Sequence, residues 1–234
     1  MGTRNVSDLS ISIPGKGLKS RFLEGLAGPD LMSILGVATS RRLLANSIVI
    51  NQEAPAEYLF LLTEGRARHF FVTQEGQRTL LYWITPGEVF GIAALLPDPS
   101  SYLVSTEMIR DSRLLVWDRA TIRDLAARYP RLLDNAHLIA SDYFAWYIAT
   151  HVALTSHSAQ QRLAQILVTL AGTIGHKVQG GVELDVTNEE LANAANITLF
   201  TSSRFLSRWQ RNGAVVKSRG KVLLRSPEQL FHSV

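Results

Sequence analysis

The chain has 234 residues, 46% of them hydrophobic and 19% charged, with a formal net charge of +4 and a sequence pI near 9.6. That is material for one large or two ordinary globular domains, and the mild positive balance is compatible with an anionic partner without requiring one. There is no cysteine, which excludes disulfides, thiolate metal sites, cysteine-ligated iron–sulfur clusters and thiol redox switching.

No long apolar run follows Met1, and no stretch reaches the length a membrane span needs. Met1-Gly2 begins like a myristoylation signal, but Val6 stands where Ser or Thr is required. A soluble, cytoplasmic chain with no membrane partner is expected. Residues 1–20, rich in Ser, Gly and Lys, read as a loose arm, and residues 21–40 carry a short helical pattern around Leu23, Leu26, Leu31, Ile34 and Leu35. From Arg42 to Trp117 the texture changes to short strand-like runs: Ser47–Ile50, Tyr58–Leu62, Ala67–Thr73, Thr79–Ile84, Val104–Ile109 and Arg113–Trp117. Glu75-Gly76 and Pro86-Gly87-Glu88 supply turns between them. Many short strands with regular turns predict a jelly roll or small barrel.

Pro130 suits a helix start, and residues 131–155 form a long helical pattern. His137, Ala140, Phe144, Tyr147, His151 and Leu154 recur at spacings of 3, 4, 3, 4 and 3, the seam of a two-stranded coiled coil. Ile139, Tyr143 and Trp146 form a second apolar face. In a two-fold dimer each seam histidine lies near its own copy. Imidazole titrates near neutrality, so two readings stay open: a pH-tuned dimer, or neutral imidazoles hydrogen-bonded to each other or to water.

Val186 to Leu224 is the most informative stretch. Thr187 is placed as an N-cap, with Glu190 three residues on as in a capping box. Leu191, Ala194 and Ala195 give a small apolar face, and Asn196 falls at a break. Thr198 caps a second helix running to about Gln210. Its Phe205, Leu206 and Trp209 recur at helical spacing and face the core. Thr201, Ser202, Arg204 and Arg208 are left to face outward. Gly213 stops that helix. Ala214–Val216 leads into a turn carrying Lys217, Arg219 and Lys221, and Val222–Leu224 returns. Between Arg204 and Arg225 there are seven Lys or Arg residues and no acid. This is the plan of a winged helix-turn-helix, whose second helix suits a major groove and whose basic wing suits phosphates.

The chain resembles the Crp/Fnr family of bacterial transcription regulators. The resemblance rests on Tyr58-Leu-Phe-Leu-Leu-Thr-Glu-Gly65, on Pro86-Gly-Glu-Val-Phe-Gly91, and on the register of Asn196 to Gly213 with Ser203-Arg204; it covers roughly residues 20–225. It implies an α+β chain in three parts. Residues 1–129 form a double-stranded β-helix (jelly-roll) sensor barrel, 130–155 a dimerisation helix, and 156–234 a winged helix-turn-helix. The implied partners are duplex DNA with a near-palindromic operator, a second copy of the chain, RNA polymerase and a small-molecule effector.

Members that bind cyclic nucleotides resemble one another in a Glu after the Gly and in a distal Arg-Ser or Arg-Thr, which hold the ribose and the cyclic phosphate. Here Gly91 is kept, Ile92 replaces the Glu, and Tyr102-Leu103 stands where the Arg pair falls; no Arg or Lys occurs between Arg78 and Arg110. A buried cyclic phosphate would lack its counter-charge, so cAMP and cGMP are not expected to bind there. Trp83, Gly91, Ile92, Tyr102 and Leu103, with Tyr143, Trp146 and Tyr147, are the candidate pocket for an apolar or aromatic effector. The alternative is that these side chains merely fill space. A haem-based gas sensor would need an axial ligand; His69 is the only barrel histidine, and no cofactor is expected.

In the second helix the early positions are Leu199 and Phe200, where relatives carry an Arg or other polar residue and then a Glu. Arg204 can still donate to guanine, while Phe200 or Thr201 can meet a thymine methyl. The candidate DNA contacts are therefore Thr187, Leu199, Phe200, Thr201, Ser203, Arg204 and Arg208, with Lys217, Arg219 and Lys221 on phosphates. No His-X-His cluster, Ser-His-Asp grouping, phosphate-binding Gly loop or carboxylate pair marks an enzyme.

Overall fold

The computed structural model describes residues 19–97 and 100–231; the arm expected over residues 1–20 lies almost wholly outside them. The chain divides into two units, residues 1–78 with 82–141, and residues 142–234 with 79–81. Each has its own core.

The first unit opens with a 3-10 turn, Arg21–Leu23, and helix α1 (Gly28–Gly36). Strands β1 (Thr39–Leu43), β2 (Ile48–Ile50), β3 (Tyr58–Glu64), β4 (Ala67–Val72), β5 (Arg78–Ile84), β6 (Val89–Phe90), β7 (Ser105–Met108) and β8 (Ser112–Asp118) follow. They form two four-stranded sheets, in the orders β1-β8-β3-β6 and β2-β7-β4-β5. This is the jelly roll that the turn spacing predicts.

The continuous apolar run of β3 has a physical reason, because both faces of its sheet are covered. Phe60 and Leu62 point between the sheets, joining Leu114, Val116, Ile50, Ala67, Met108, Ile84, Phe90 and Tyr102. Leu59 and Leu61 point the other way, against Phe22, Ile34, Trp117, Ile122, Leu125 and Leu132. Helices supply that outer layer: α1, α2 (Arg119–Arg128) and the start of α3 (Arg131–Ser156). Asp118 accepts the Thr121 amide and so caps α2. Two buried polar groups fasten the layer, the first to the sheet and the second within the layer itself. Trp117 Nε1 donates to the Ile34 carbonyl at 2.9 Å, and Asn135 Nδ2 donates to the Phe22 and Glu24 carbonyls, both at 2.9 Å. The helical pattern of residues 21–40 is thus realised as a 3-10 turn and a short α-helix, because Gly25 takes a positive φ of 76° between them.

In the second unit the remainder of α3 precedes α4 (Ala159–Thr173), β9 (His176–Val178), β10 (Gly181–Leu184), α5 (Asn188–Ala194), α6 (Leu199–Arg211), β11 (Val215–Ser218) and β12 (Lys221–Leu224). The expected two-stranded wing is half of a four-stranded antiparallel sheet, ordered β11-β12-β10-β9. Leu163, Leu167 and Leu170 of α4, Leu191 of α5, Leu206 and Trp209 of α6, and Val222 and Leu224 of β12 are all buried. Among the described residues, no helix is long and apolar enough to cross a membrane.

Candidate functional site

The two helices of the turn form where their caps place them. Thr187 accepts the Glu190 amide at 3.1 Å while Glu190 accepts the Thr187 amide at 2.7 Å, so the capping box is complete. Thr198 accepts the Thr201 amide at 3.1 Å and starts α6. Asn196 sits between the helices at φ 49°, a conformation that Asn tolerates better than most residues. Gly213 ends α6 at φ 76°.

Two expectations about these helices need correction. Ala192, not Ala194, is the buried alanine beside Leu191 and Ala195. Ser202 does not face outward; it is 0% exposed, and its hydroxyl donates to Asn188 Oδ1 at 2.6 Å. Ser202, Leu206 and Trp209 lie at i, i+4 and i+7, one stripe of the helix, so the serine is the polar member of the core face. Its bond fastens the start of α5 to α6. A second fastening comes from α4. Arg162 donates through Nε to the Ala195 carbonyl at 2.9 Å and through Nη2 to the Asn196 carbonyl at 3.3 Å. The turn between the helices is thus held from behind by a residue the sequence pattern does not single out. The capping box of Ser158 and Gln161 at the start of α4 was the available signal.

What α6 leaves outside is Leu199, Phe200 and Arg204, all exposed, with Thr201, Ser203 and Arg208 half-buried. The Arg204 guanidinium lies 5.4 Å from the centre of the Phe205 ring. Thr187 is exposed but its hydroxyl is engaged in the capping box. In the wing, Lys217 Nζ donates to Ser207 Oγ at 2.9 Å, drawing that cation against α6. Arg219 is exposed next to Gly220, whose φ is 72°. Lys221 differs from the simple picture of a free wing cation. It donates to Glu183 Oε1 at 2.6 Å and lies 3.7 Å from Asp185 Oδ1, and the hydrogen bond to Glu183 raises its ammonium above the ordinary lysine value. The wing segment itself carries no acid, but Glu183 of β10 and Asp185 just after it stand beside Lys221.

The barrel residues expected to share one pocket are distributed differently. Tyr102 is buried between the sheets, and its phenol donates to the Tyr58 carbonyl at 2.7 Å while accepting the Tyr58 amide at 2.8 Å. Burial raises the pKa of that phenol. Gly91 takes φ 77°, and a Cβ there would sit 2.7 Å from the Tyr58 carbonyl oxygen, so its position is dictated by backbone packing. Ile92 packs into the outer cluster beneath the helices, and Leu103 stands 82% exposed; neither lines the space between the sheets. Trp83 is half-buried, with a buried indole N–H that has no hydrogen-bond partner among the described residues. Tyr143, Trp146 and Tyr147 belong to the other unit, the first two half-buried and Tyr147 exposed.

His69 is built into the barrel. Its Nδ1 lies 2.9 Å from Thr106 Oγ1, and Phe90 meets its ring edge-on with centroids 6.2 Å apart. Burial lowers its pKa to about 4, against an opposing hydrogen bond with the Ser105 backbone. Across the strand pair, Arg68 donates twice to Glu107 Oε2, at 3.1 and 2.8 Å, and Arg78 lies 3.9 Å from the same oxygen.

Residues 40–129 match a family described as a cyclic nucleotide-binding domain, and residues 161–232 match one described as a Crp-like helix-turn-helix domain. Electron transport regulator A of Shewanella oneidensis is 23% identical over 73% of this chain and 68% of its own length. The cyclic AMP receptor protein of Thermus thermophilus is 26% identical over 88% of this chain and 93% of its own. FixK2 from Bradyrhizobium japonicum superposes with a TM-score of 0.73 at 21% identity, over 83% of this chain and 96% of that one. The chain belongs to the Crp/Fnr family. It is a transcription regulator with a helix-turn-helix DNA-binding domain.

In this Crp/Fnr regulator Tyr102 spends its hydroxyl on the Tyr58 backbone, and the cations Arg68 and Arg78 face Glu107. The predicted seam of α3 lies on one exposed face: His137, Ala140, Phe144, Tyr147, His151 and Leu154 are all exposed, Phe144 at 68%. Ile148 and Val152, also exposed, widen the strip.

Proposed function

We propose that two copies of this Crp/Fnr regulator pair along α3 and set their α6 helices into successive major grooves of a near-palindromic operator, with half-sites about one helical turn apart. The division of labour is a barrel over residues 1–129, a dimerisation helix over 130–155 and a DNA-binding unit over 156–234. Arg204 donates to guanine, and Lys217 and Arg219 meet phosphates. The single observation that carries the reading is the outward face of α6, which exposes Arg204 one turn from Leu199 and Phe200 while its opposite face is the core. Dimerisation is supported by the exposed apolar strip on α3, since contiguous exposed apolar rows mark protein–protein contacts. The seam histidines would lie near their copies; equal dimer dissociation constants at pH 5.5 and 8 would dispose of a pH switch there. RNA polymerase, met in the cytoplasm beside the operator, is the further partner, and we assign no catalysis to the chain.

The test is an electrophoretic mobility shift on fragments of the protein's own upstream genomic DNA at low ionic strength, with the complex mass measured. A complex of two chains per duplex is expected, its affinity falling steeply with salt. Absence of any shift on every fragment contradicts the proposal.

The barrel is proposed to be closed to cAMP and cGMP, since Arg68 and Arg78 already face Glu107 and the Tyr102 phenol already faces the Tyr58 backbone. One observation favours a gated regulator over a ligand-free one: the buried indole N–H of Trp83 is a donor awaiting an acceptor. A small aromatic or apolar effector carrying one acceptor would satisfy it. Thermal-shift screening with aromatic acids, phenols and fatty acids tests this; a hit should be lost in Trp83→Phe, which keeps the ring and removes the donor. A screen without hits favours the ligand-free reading.

A further inference from the structure

The exposed face of α6 is unusual in its first turn. Leu199 is 53% and Phe200 77% exposed, at the first two positions of the helix. No described large apolar side chain of the second unit is more exposed than Phe200. A side chain of that size left in water is unburied apolar area, so a surface that covers it on binding gains from its burial. The surroundings restrict what that surface is. Arg204 lies four residues on, on the same helix face, and Arg211 and Arg219 are also exposed in this unit. An apolar occupant ringed by negative charge fits this face. Duplex DNA supplies this in its major groove, where the C5-methyl of thymine is the one apolar group on the base edges and phosphates flank it.

We propose that Phe200, supported by Leu199, reads thymine methyl groups in the operator half-site, and so acts as a specificity-determining residue beside Arg204. This rests on the reading of α6 as the groove-bound helix. Side chains at i and i+4 are separated by roughly 5–6 Å, and base pairs rise by about 3.4 Å. The thymine contacted by Phe200 thus lies one or two base pairs from the guanine contacted by Arg204. Phe200 can neither accept from cytosine N4 nor donate to guanine, so a cytosine at the thymine position leaves a polar edge facing an apolar ring.

The experiment selects bound sequences from a randomised duplex pool with the full chain. It then measures affinities on the winning duplex with deoxyuridine replacing each thymidine, an exchange that removes only the methyl. Thymine is expected one or two base pairs from the Arg204-dependent guanine, and deoxyuridine there lowers affinity on the order of five-fold. The exchange has no effect in Phe200→Ala, whose fold is checked by circular dichroism, and Phe200→Glu shifts the selected base toward cytosine. Wild-type affinity unchanged by deoxyuridine at every position, with Arg204 dependence intact, overturns the proposal and leaves the groove reading standing. Unchanged base selection in Phe200→Ala together with lost recruitment of RNA polymerase also overturns it, giving this side chain to a protein. Failure to bind any duplex removes the groove reading and this proposal with it.

Discussion

The barrel and the helix-turn-helix unit use their polar side chains in opposite ways. In the barrel they are turned onto the protein itself. Tyr102 closes on the Tyr58 backbone, Arg68 on Glu107, and His69 on Thr106. Arg119 donates to the Ala56 carbonyl at 3.2 Å and to Ser100 Oγ at 2.7 Å. In the second unit Ser202 and Arg162 are spent in this manner and stabilise the pose of α6, and Lys217 and Lys221 are drawn onto Ser207 and Glu183. Arg204 and Arg219 stay at the surface. The lesson is that the net charge of +4 says little about an anionic partner, whereas where the cations stand and what already neutralises them says a great deal.

That contrast can be broken from the barrel side first. His69 is held at about pKa 4, against 6.5 for a free imidazole, chiefly by burial. Between those values the unfolded chain binds a proton that the folded barrel refuses. The contribution is therefore complete above pH 6.5 and is lost as the pH falls, by about 3 kcal/mol at pH 4. The melting temperature of the wild-type chain should fall over this window relative to that of His69→Gln. A constant difference between the two curves from pH 7 to pH 4.5 would show that the imidazole is not held neutral. A smaller effect is expected from Arg162→Ala, which leaves the Ala195 and Asn196 carbonyls without their guanidinium and costs about 1–3 kcal/mol. Its operator affinity should drop although Arg204 is untouched; unchanged affinity would mean that the turn holds itself. The smallest effect lies in the wing. Arg219→Ala should reduce the slope of log affinity against log salt by about 1. Lys221→Ala should reduce it by less, since Glu183 and Asp185 already neutralise that ammonium. Equal slopes would show that the acids release it on DNA.

Most of the local structure of the DNA-binding unit was legible because its signals are short-range. The Thr187–Glu190 box, the Thr198 cap, Asn196 at positive φ and Gly213 as a helix stop all act within a few residues. What escaped was set by long-range pairing. Ser202 reads as a surface residue until Asn188, on another helix, is seen to receive its hydroxyl. Lys221 reads as a free cation until the register of β10 with β12 brings in Glu183, 38 residues away. In the barrel, strand existence followed from alternation and turns, and most strand ends moved by only one or two residues. The strands β1 and β6, the hairpin of β9 and β10, and helices α2 and α4 went unread, although α4 carries a capping box. The pocket assignment failed to hold together for a different reason. Ile92 and Tyr102 belong to clusters on opposite faces of one sheet, and near an irregular 3-10 turn such as Ile92–Leu95, alternation no longer tells inside from outside.

Whether α6 reads a duplex through Arg204 is decided by the affinity of the wild-type chain and of Arg204→Ala for one selected operator, measured by fluorescence anisotropy at fixed salt. Groove reading by Arg204 gives a loss of roughly ten- to a hundred-fold in the variant, the equivalent of about 1–3 kcal/mol, with affinity for unrelated duplex reduced far less. Equal affinity of the two proteins for that operator would contradict it.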